Sequence, residues 1–203
     1  MSDPFLALAH AIAAGIDNLP IPQGDTGKAA RHLADATRNA HPSARFTSPT
    51  GGHDYGPTLR SALNQDGNNP AHGIIAAIAA LHDRLPWFYH YPKPPDDPDL
   101  DQRVAFAELI GPGGPLANGN SLVGFTLMAP ETFYPLHTHP AVELYMVVSG
   151  NAQWIVPERE QLVPPGGFVL HRSGQPHAMR TFGEPLLAIY DWQGDLESPS
   201  VYM

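Results

Sequence analysis

Residues 137–150 read HTHPAVELYMVVSG. From Val142 onward the run is apolar and β-branched, the composition of a buried strand. Two histidines and a glutamate stand at its start. Imidazole and carboxylate groups are costly to bury unless something compensates them, so this stretch calls for a partner.

Working outward, His137, His139, Glu143 and Tyr145 are all odd-numbered. Residues two apart on a strand project to one face, so Glu143 and Tyr145 share one. His137 and His139 share one too if extended, with Pro140 interrupting the strand between the pairs. His177 follows the turn RSGQP and opens another strand-like run, which neighbouring strands can bring opposite His139 and Glu143. Nitrogen and oxygen donors that converge in this way suit a divalent cation. The chain has no cysteine, which excludes thiolate ligands, disulfides and thiol catalysis, and it carries 11 histidines.

The period of the pattern divides the chain. Residues 1–95 are expected to form a helical region. Phe5, Leu8, Ala9, Ile12 and Ile16 share a helical face before Pro20, and a second run from about Lys28 to Ala40 carries Leu33 and Ala36. A third follows Asn69-Pro70, with Ile74, Ile75, Ile78, Leu81, His82 and Leu85 as its stripe and Pro86 as its end. Between them, residues 41–58 read as a long surface loop, either a connector or a lid. The other histidines of this half (His10, His32, His41, His53, His72, His82 and His90) show no ligand spacing. YPKPPDDPDL, residues 91–100, is too proline-dense for helix or strand and is read as a linker. Residues 96–203 then switch to period two. RVAFAELIG, SLVGFTLMAP, VELYMVVSG, NAQWIVP, GFVLH, HAMRTF and LLAIYDW are separated by Gly, Pro and Asn turns, the pattern of a β-barrel or sandwich. The expected fold is mainly β with α: a C-terminal barrel and an N-terminal helical layer.

A formal net charge of −9 argues against nucleic acid and anionic membrane surfaces as partners. No stretch has the apolar length of a membrane span. The N-terminus lacks the basic residues of a signal peptide, so a cytoplasmic protein is expected. Oligomeric state is not legible, and a homodimer is kept open.

HTHPAVELYMVVSG resembles the first motif of the cupin superfamily: His-x-His, three residues, Glu143, six residues, Gly150. Gly166 and Gly174-Gln175-Pro176-His177 resemble a reduced second motif. The resemblance implies a double-stranded β-helix barrel. Three positions depart from it: Glu131 and Arg172 stand where glycine and proline are expected, and Thr181 where asparagine is. With the alanine-rich helical half, Tyr134 and the late YDW, the chain also resembles bacterial dimethylsulfoniopropionate (DMSP) lyases of the DddQ type. That resemblance implies His139, Glu143, Tyr145 and His177 as metal ligands, and Tyr134, His137 and Trp192 as active-site residues. It implies a small sulfonium carboxylate as substrate and one divalent transition metal as cofactor. Zinc is the first expectation, and iron, manganese and nickel also suit the donors.

DMSP carries a carboxylate at one end and a sulfonium at the other. Removing the weakly acidic proton beside the carboxylate calls for a cation to withdraw charge and for a strong base. Tyr145, on the Glu143 face, is the expected base, and Tyr134 is the alternative. His137 is read as a metal ligand or as a group beside the metal and substrate, and Trp192 as a substrate contact or a core residue. Tyr134, Trp154, Tyr190 and Trp192 are candidates for holding the sulfonium against aromatic faces. Two rival functions remain open at this level: an iron-dependent cupin dioxygenase, and a cupin that binds a small molecule without catalysis.

Overall fold

The computed structural model describes residues 3–44, 46, 53–64 and 68–203. Its helices are α1 (Pro4–Asp17), α2 (Gly24–Arg38), α3 (Gly56–Leu63) and α4 (His72–Ala79). Asp3 caps α1, its carboxylate accepting from the N–H groups of Phe5 and Leu6. The expected face is buried at Phe5, Leu8, Ala9, Ile12 and Ile16. α2 begins at Gly24, ahead of the expected Lys28. α4 ends at Ala79, and the buried stripe continues through turns at Leu81 and Leu85, while His82 points to solvent. Part of the expected 41–58 loop is ordered otherwise: a short strand occupies His41–Pro42, and α3 starts at Gly56. Its residues 45 and 47–52 lie outside the described residues, and the lid reading lies there with them.

In chain order the strands are β1 (His41–Pro42), β2 (Val104–Ile110), β3 (Leu116–Ala117), β4 (Ser121–Met128), β5 (Phe133–Thr138) and β6 (Val142–Ser149). β7 (Ala152–Val156), β8 (Arg159–Val163), β9 (Phe168–His171), β10 (His177–Thr181), β11 (Leu186–Gln193) and β12 (Val201–Tyr202) complete them. A seven-stranded sheet runs β1-β3-β2-β4-β11-β6-β9, and a five-stranded sheet runs β12-β5-β10-β7-β8. All seven strand-like segments read from the sequence form strands.

The larger sheet is covered on both faces. Phe125, Leu144, Met146, Val148 and Ile189 pack on the helical layer with Leu8, Ile12, Leu33 and Ile74. The alternate residues Tyr145, Val147, Ala188 and Tyr190 face inward, where they meet Trp154 and Met179 of the smaller sheet. Burial on both faces makes these strands almost continuously apolar, and each buried Leu or Ile contributes about 1.5–3 kcal/mol. A polar group on the inner face therefore stands out as a feature to be explained.

Two turns carry the imprint of the barrel motif. Gly150 has φ 75° at the β6–β7 turn, and a Cβ there would collide with the carbonyl oxygen of Pro185. Glu131, standing where the motif expects glycine, keeps the left-handed conformation at φ 52° and is the one non-glycine with positive φ among the described residues. Its N–H donates to the Phe182 carbonyl at 2.8 Å, which helps hold the strained turn.

Candidate active site

β6 projects Glu143 and Tyr145 inward, as their shared parity requires. From the smaller sheet, β5 brings Tyr134 and His137, and β10 brings His177. The β5–β10 register pairs His177 with His137 and Met179 with Tyr134, with a bulge between the pairs. That bulge lets Tyr134 and His137 both face the interior despite their unlike parity. His177 therefore pairs with His137 on a neighbouring strand, and Glu143 reaches it from the other sheet. His139 follows the end of β5.

Glu143 is the hub. Its Oε2 lies 3.0 Å from His139 Nε2 and 3.2 Å from His177 Nε2. Its Oε1 accepts from Trp192 Nε1 at 2.7 Å. Each histidine is oriented by the backbone: the Nδ1 atoms of His137, His139 and His177 lie 2.8, 3.1 and 2.9 Å from the carbonyl oxygens of Pro135, Ala141 and Gln175. A carbonyl only accepts, so each Nδ1 carries the proton and each Nε2 of a neutral ring presents a lone pair. Ring nitrogens of the three histidines lie within 4.8 Å of one another, and all three side chains are buried. A lone pair facing a carboxylate oxygen is repelled unless a proton or a metal cation lies between the two. The donor set fits a metal ion, and the two-sheet barrel with its buried histidine triad is a metal-site candidate.

The electrostatics follow from burial and proximity. Burial pushes the Glu143 carboxyl up, but the hydrogen bonds and charges of His139 and His177 outweigh it and hold it well below the usual carboxylate range. Burial, then the neighbouring His177, pushes His137 down to about 3. The Tyr145 phenol is raised well above its ordinary value by burial and then by the Glu143 charge, and burial likewise raises Tyr134.

Tyr134, His137, His139, Glu143, Tyr145 and Trp192 all line one inner space of about 10 Å³. His177 joins them through Glu143. Trp192 stacks on His139, with centroids 4.2 Å apart and planes at 28°. Trp154 does not line this space: it lies behind Tyr145, at 4.6 Å between centroids. Tyr190 lines it beside Trp192.

Three neighbours escape a reading of the sequence. His171 on β9 pairs in register with Glu143, stacks on His177 at 4.0 Å and 10°, and has neither ring nitrogen hydrogen-bonded. Its signal is parity, since it falls two residues after the inward Val169. Tyr91, the first residue of the proline-dense stretch, lines the inner space. Glu108 is the only charged residue of β2 and falls on its inward face with Val104 and Phe106.

A two-sheet barrel with this histidine–glutamate centre defines the chain as a cupin. The fold is shared with a sugar phosphate isomerase from a cupin superfamily of Silicibacter pomeroyi, at 16% identity and TM-score 0.51 over 60% of this chain and 79% of that one. Within that class, the chain belongs to the dimethylsulfoniopropionate lyase family, whose profile matches residues 28–188. It is 41% identical over 107 residues to the DMSP lyase DddQ of Ruegeria pomeroyi, covering 51% of this chain and 52% of that protein. It is 35% identical over 142 residues to the putative DMSP lyase DddL of Cereibacter sphaeroides, covering 68% and 59%. The matched regions thus span little more than half the length of these curated relatives. The crystal structure of the Ruegeria pomeroyi DddQ superposes with TM-score 0.79 at 26% identity, covering 100% of this chain and 98% of that one. Among the described residues no helix is long and apolar enough to cross a membrane.

Proposed function

We propose that this protein is a metal-dependent carbon–sulfur lyase that cleaves DMSP to dimethyl sulfide and acrylate, with Tyr145 as the base. The observation that carries this reading is the convergence of Glu143, the histidine Nε2 atoms and Tyr145 on one inner space, in a chain of the DMSP lyase family. His139, Glu143, Tyr145 and His177 would hold one divalent cation, zinc first, with iron, manganese and nickel also suited to these donors. When bound, the cation supplies positive charge that favours the Tyr145 phenolate and the negative charge developing on the substrate carboxylate.

The protein's own residues do the rest. Tyr145 Oη takes the proton from the carbon beside the carboxylate. The electron pair of that C–H bond forms the new double bond, the C–S bond breaks, and sulfur leaves with its pair as neutral dimethyl sulfide. Trp192 fixes Glu143 through its N–H and His139 through its face, which keeps the donors in place. Tyr134 and His137, whose rings lie 4.4 Å apart, form the wall a substrate touches. Burial of the whole set keeps bulk water from the reacting carbon.

The test is to supply DMSP to metal-loaded protein and follow headspace dimethyl sulfide, dissolved acrylate and oxygen. Equimolar dimethyl sulfide and acrylate with no oxygen uptake is the expected result. Oxygen consumption without dimethyl sulfide would instead identify a dioxygenase.

A further inference from the structure

The inner space has room only for a group the size of a water molecule, but it does not end there. Tyr91, Tyr190, Trp192 and Ser200 line both it and an outer cavity of about 340 Å³. Glu108 lines that antechamber, with Glu197 on the C-terminal segment also in its wall. No lysine or arginine is among the described residues of the wall, and nearby Lys93 is paired with Asp101 at 2.8 Å.

Glu108 is built into this position. The sheet register runs in one row from Glu108 to Gly124, then Tyr190, then Tyr145. Gly124 leaves the gap that Tyr190 fills: a Cβ there would lie 2.5 Å from the Tyr190 hydroxyl oxygen and 2.6 Å from the Ala107 carbonyl oxygen. The Gly113 N–H donates to Glu108 Oε1 at 2.7 Å and anchors the carboxylate. Burial pushes the Glu108 carboxyl up, while the backbone N–H groups of Gly113 and Gly114 oppose that shift. A carboxylate short of hydration beside aromatic faces is a strong partner for a poorly hydrated cation.

We infer that the antechamber is a cation subsite in which Glu108, with the rings of Tyr91, Tyr190 and Trp192, receives the positive end of the substrate and sets specificity for it. The orientation rests on the lyase reading above: with the carboxylate end at the Glu143 centre, the bulky sulfonium end has space only in the antechamber. The same charge acts on the products. Acrylate is an anion with no cationic end, so Glu108 and Glu197 disfavour its retention, and neutral dimethyl sulfide loses the ion pair as the C–S bond breaks.

The test uses a cation that cannot react. Trimethylsulfonium is titrated calorimetrically into the metal-loaded wild type, Glu108→Gln, Glu108→Asp and Glu158→Gln, with dimethyl sulfide as the neutral control. Glu158→Gln removes the same charge from an exposed turn. Wild type and Glu158→Gln should bind the cation alike, Glu108→Gln at least about tenfold more weakly, and Glu108→Asp in between. Gln keeps an acceptor for the Gly113 N–H, and thermal melting confirms the fold. In turnover, the loss should appear in KM for DMSP rather than in kcat. Equal binding by wild type and Glu108→Gln, or no saturable binding by wild type, overturns the subsite. Cation binding without dimethyl sulfide production would reject the lyase reading and leave the subsite standing.

Discussion

Trp192 and Glu143 are register partners across β11 and β6, and the indole N–H donates to Glu143 Oε1 while the same ring lies on His139. One side chain thus orients two donors of the proposed centre. Trp192→Phe keeps a ring for His139 and removes the N–H from Glu143. Metal affinity should fall about 10–100-fold, the usual cost of losing a supporting hydrogen bond. Competition with a chelator measures it, and unchanged affinity would reduce Trp192 to packing.

Removing a donor outright should do more. His139→Ala, Glu143→Ala and His177→Ala should each take the protein from about one ion per chain to well below half occupancy, because each opens the centre to water. Elemental analysis after native purification reads this directly. A wild type that is metal-free and inert to added metal would refute the ligand assignment.

The barrel was legible in the sequence because its strands alternate cleanly between glycine and proline turns, and because the motif residues share parity. β5 was harder to read: Pro135 and a bulge break its alternation, so Tyr134 and His137 face one way against the pattern. α3, at eight residues, is too short for a periodic signal beside its glycine-rich neighbours. Parity turns His171 and Glu108 inward, but only the cross-strand register reveals which residues they stand beside. His32 has no ligand spacing and serves packing instead: its Nε2 lies 2.8 Å from the Ser121 hydroxyl oxygen and links α2 to the barrel.

Acid should destabilise the metal-free protein. Burial, then the neighbouring His177, pushes both His137 and His171 down to about 3. Their unfolded value is near 6.5. The sign follows: below pH 6.5 the unfolded chain takes up protons that the folded chain refuses, so stability falls as pH drops from about 6.5 towards 3. Each such histidine costs up to about a factor of ten in the folding constant per pH unit. Urea midpoints between pH 7 and 5 should fall, and more gently in His171→Phe. A flat profile would contradict the buried neutral histidines.

The two left-handed turns predict opposite outcomes. Glu131→Gly should raise stability by about 0.5–1 kcal/mol, because it relieves a strained φ at some entropic cost. Gly150→Ala should lower it by about 2 kcal/mol or more, because the new Cβ meets the Pro185 carbonyl as well as the wrong φ. Thermal melts of the two variants against wild type decide both.

The most direct test of the account is turnover of DMSP by Tyr145→Phe beside wild type, with the metal content of each preparation measured. Loss of the phenol removes the proposed base and one of the four proposed ligands, but leaves the ring that packs on Trp154 at 4.6 Å. With His139, Glu143 and His177 still in place, the variant should fold and retain much of its metal. Its release of dimethyl sulfide should fall about 10²–10⁴-fold, the usual worth of a positioned base. Near-normal turnover by a folded, metal-loaded Tyr145→Phe would contradict the assignment and move the proton transfer to another group, with Tyr134 the first to test.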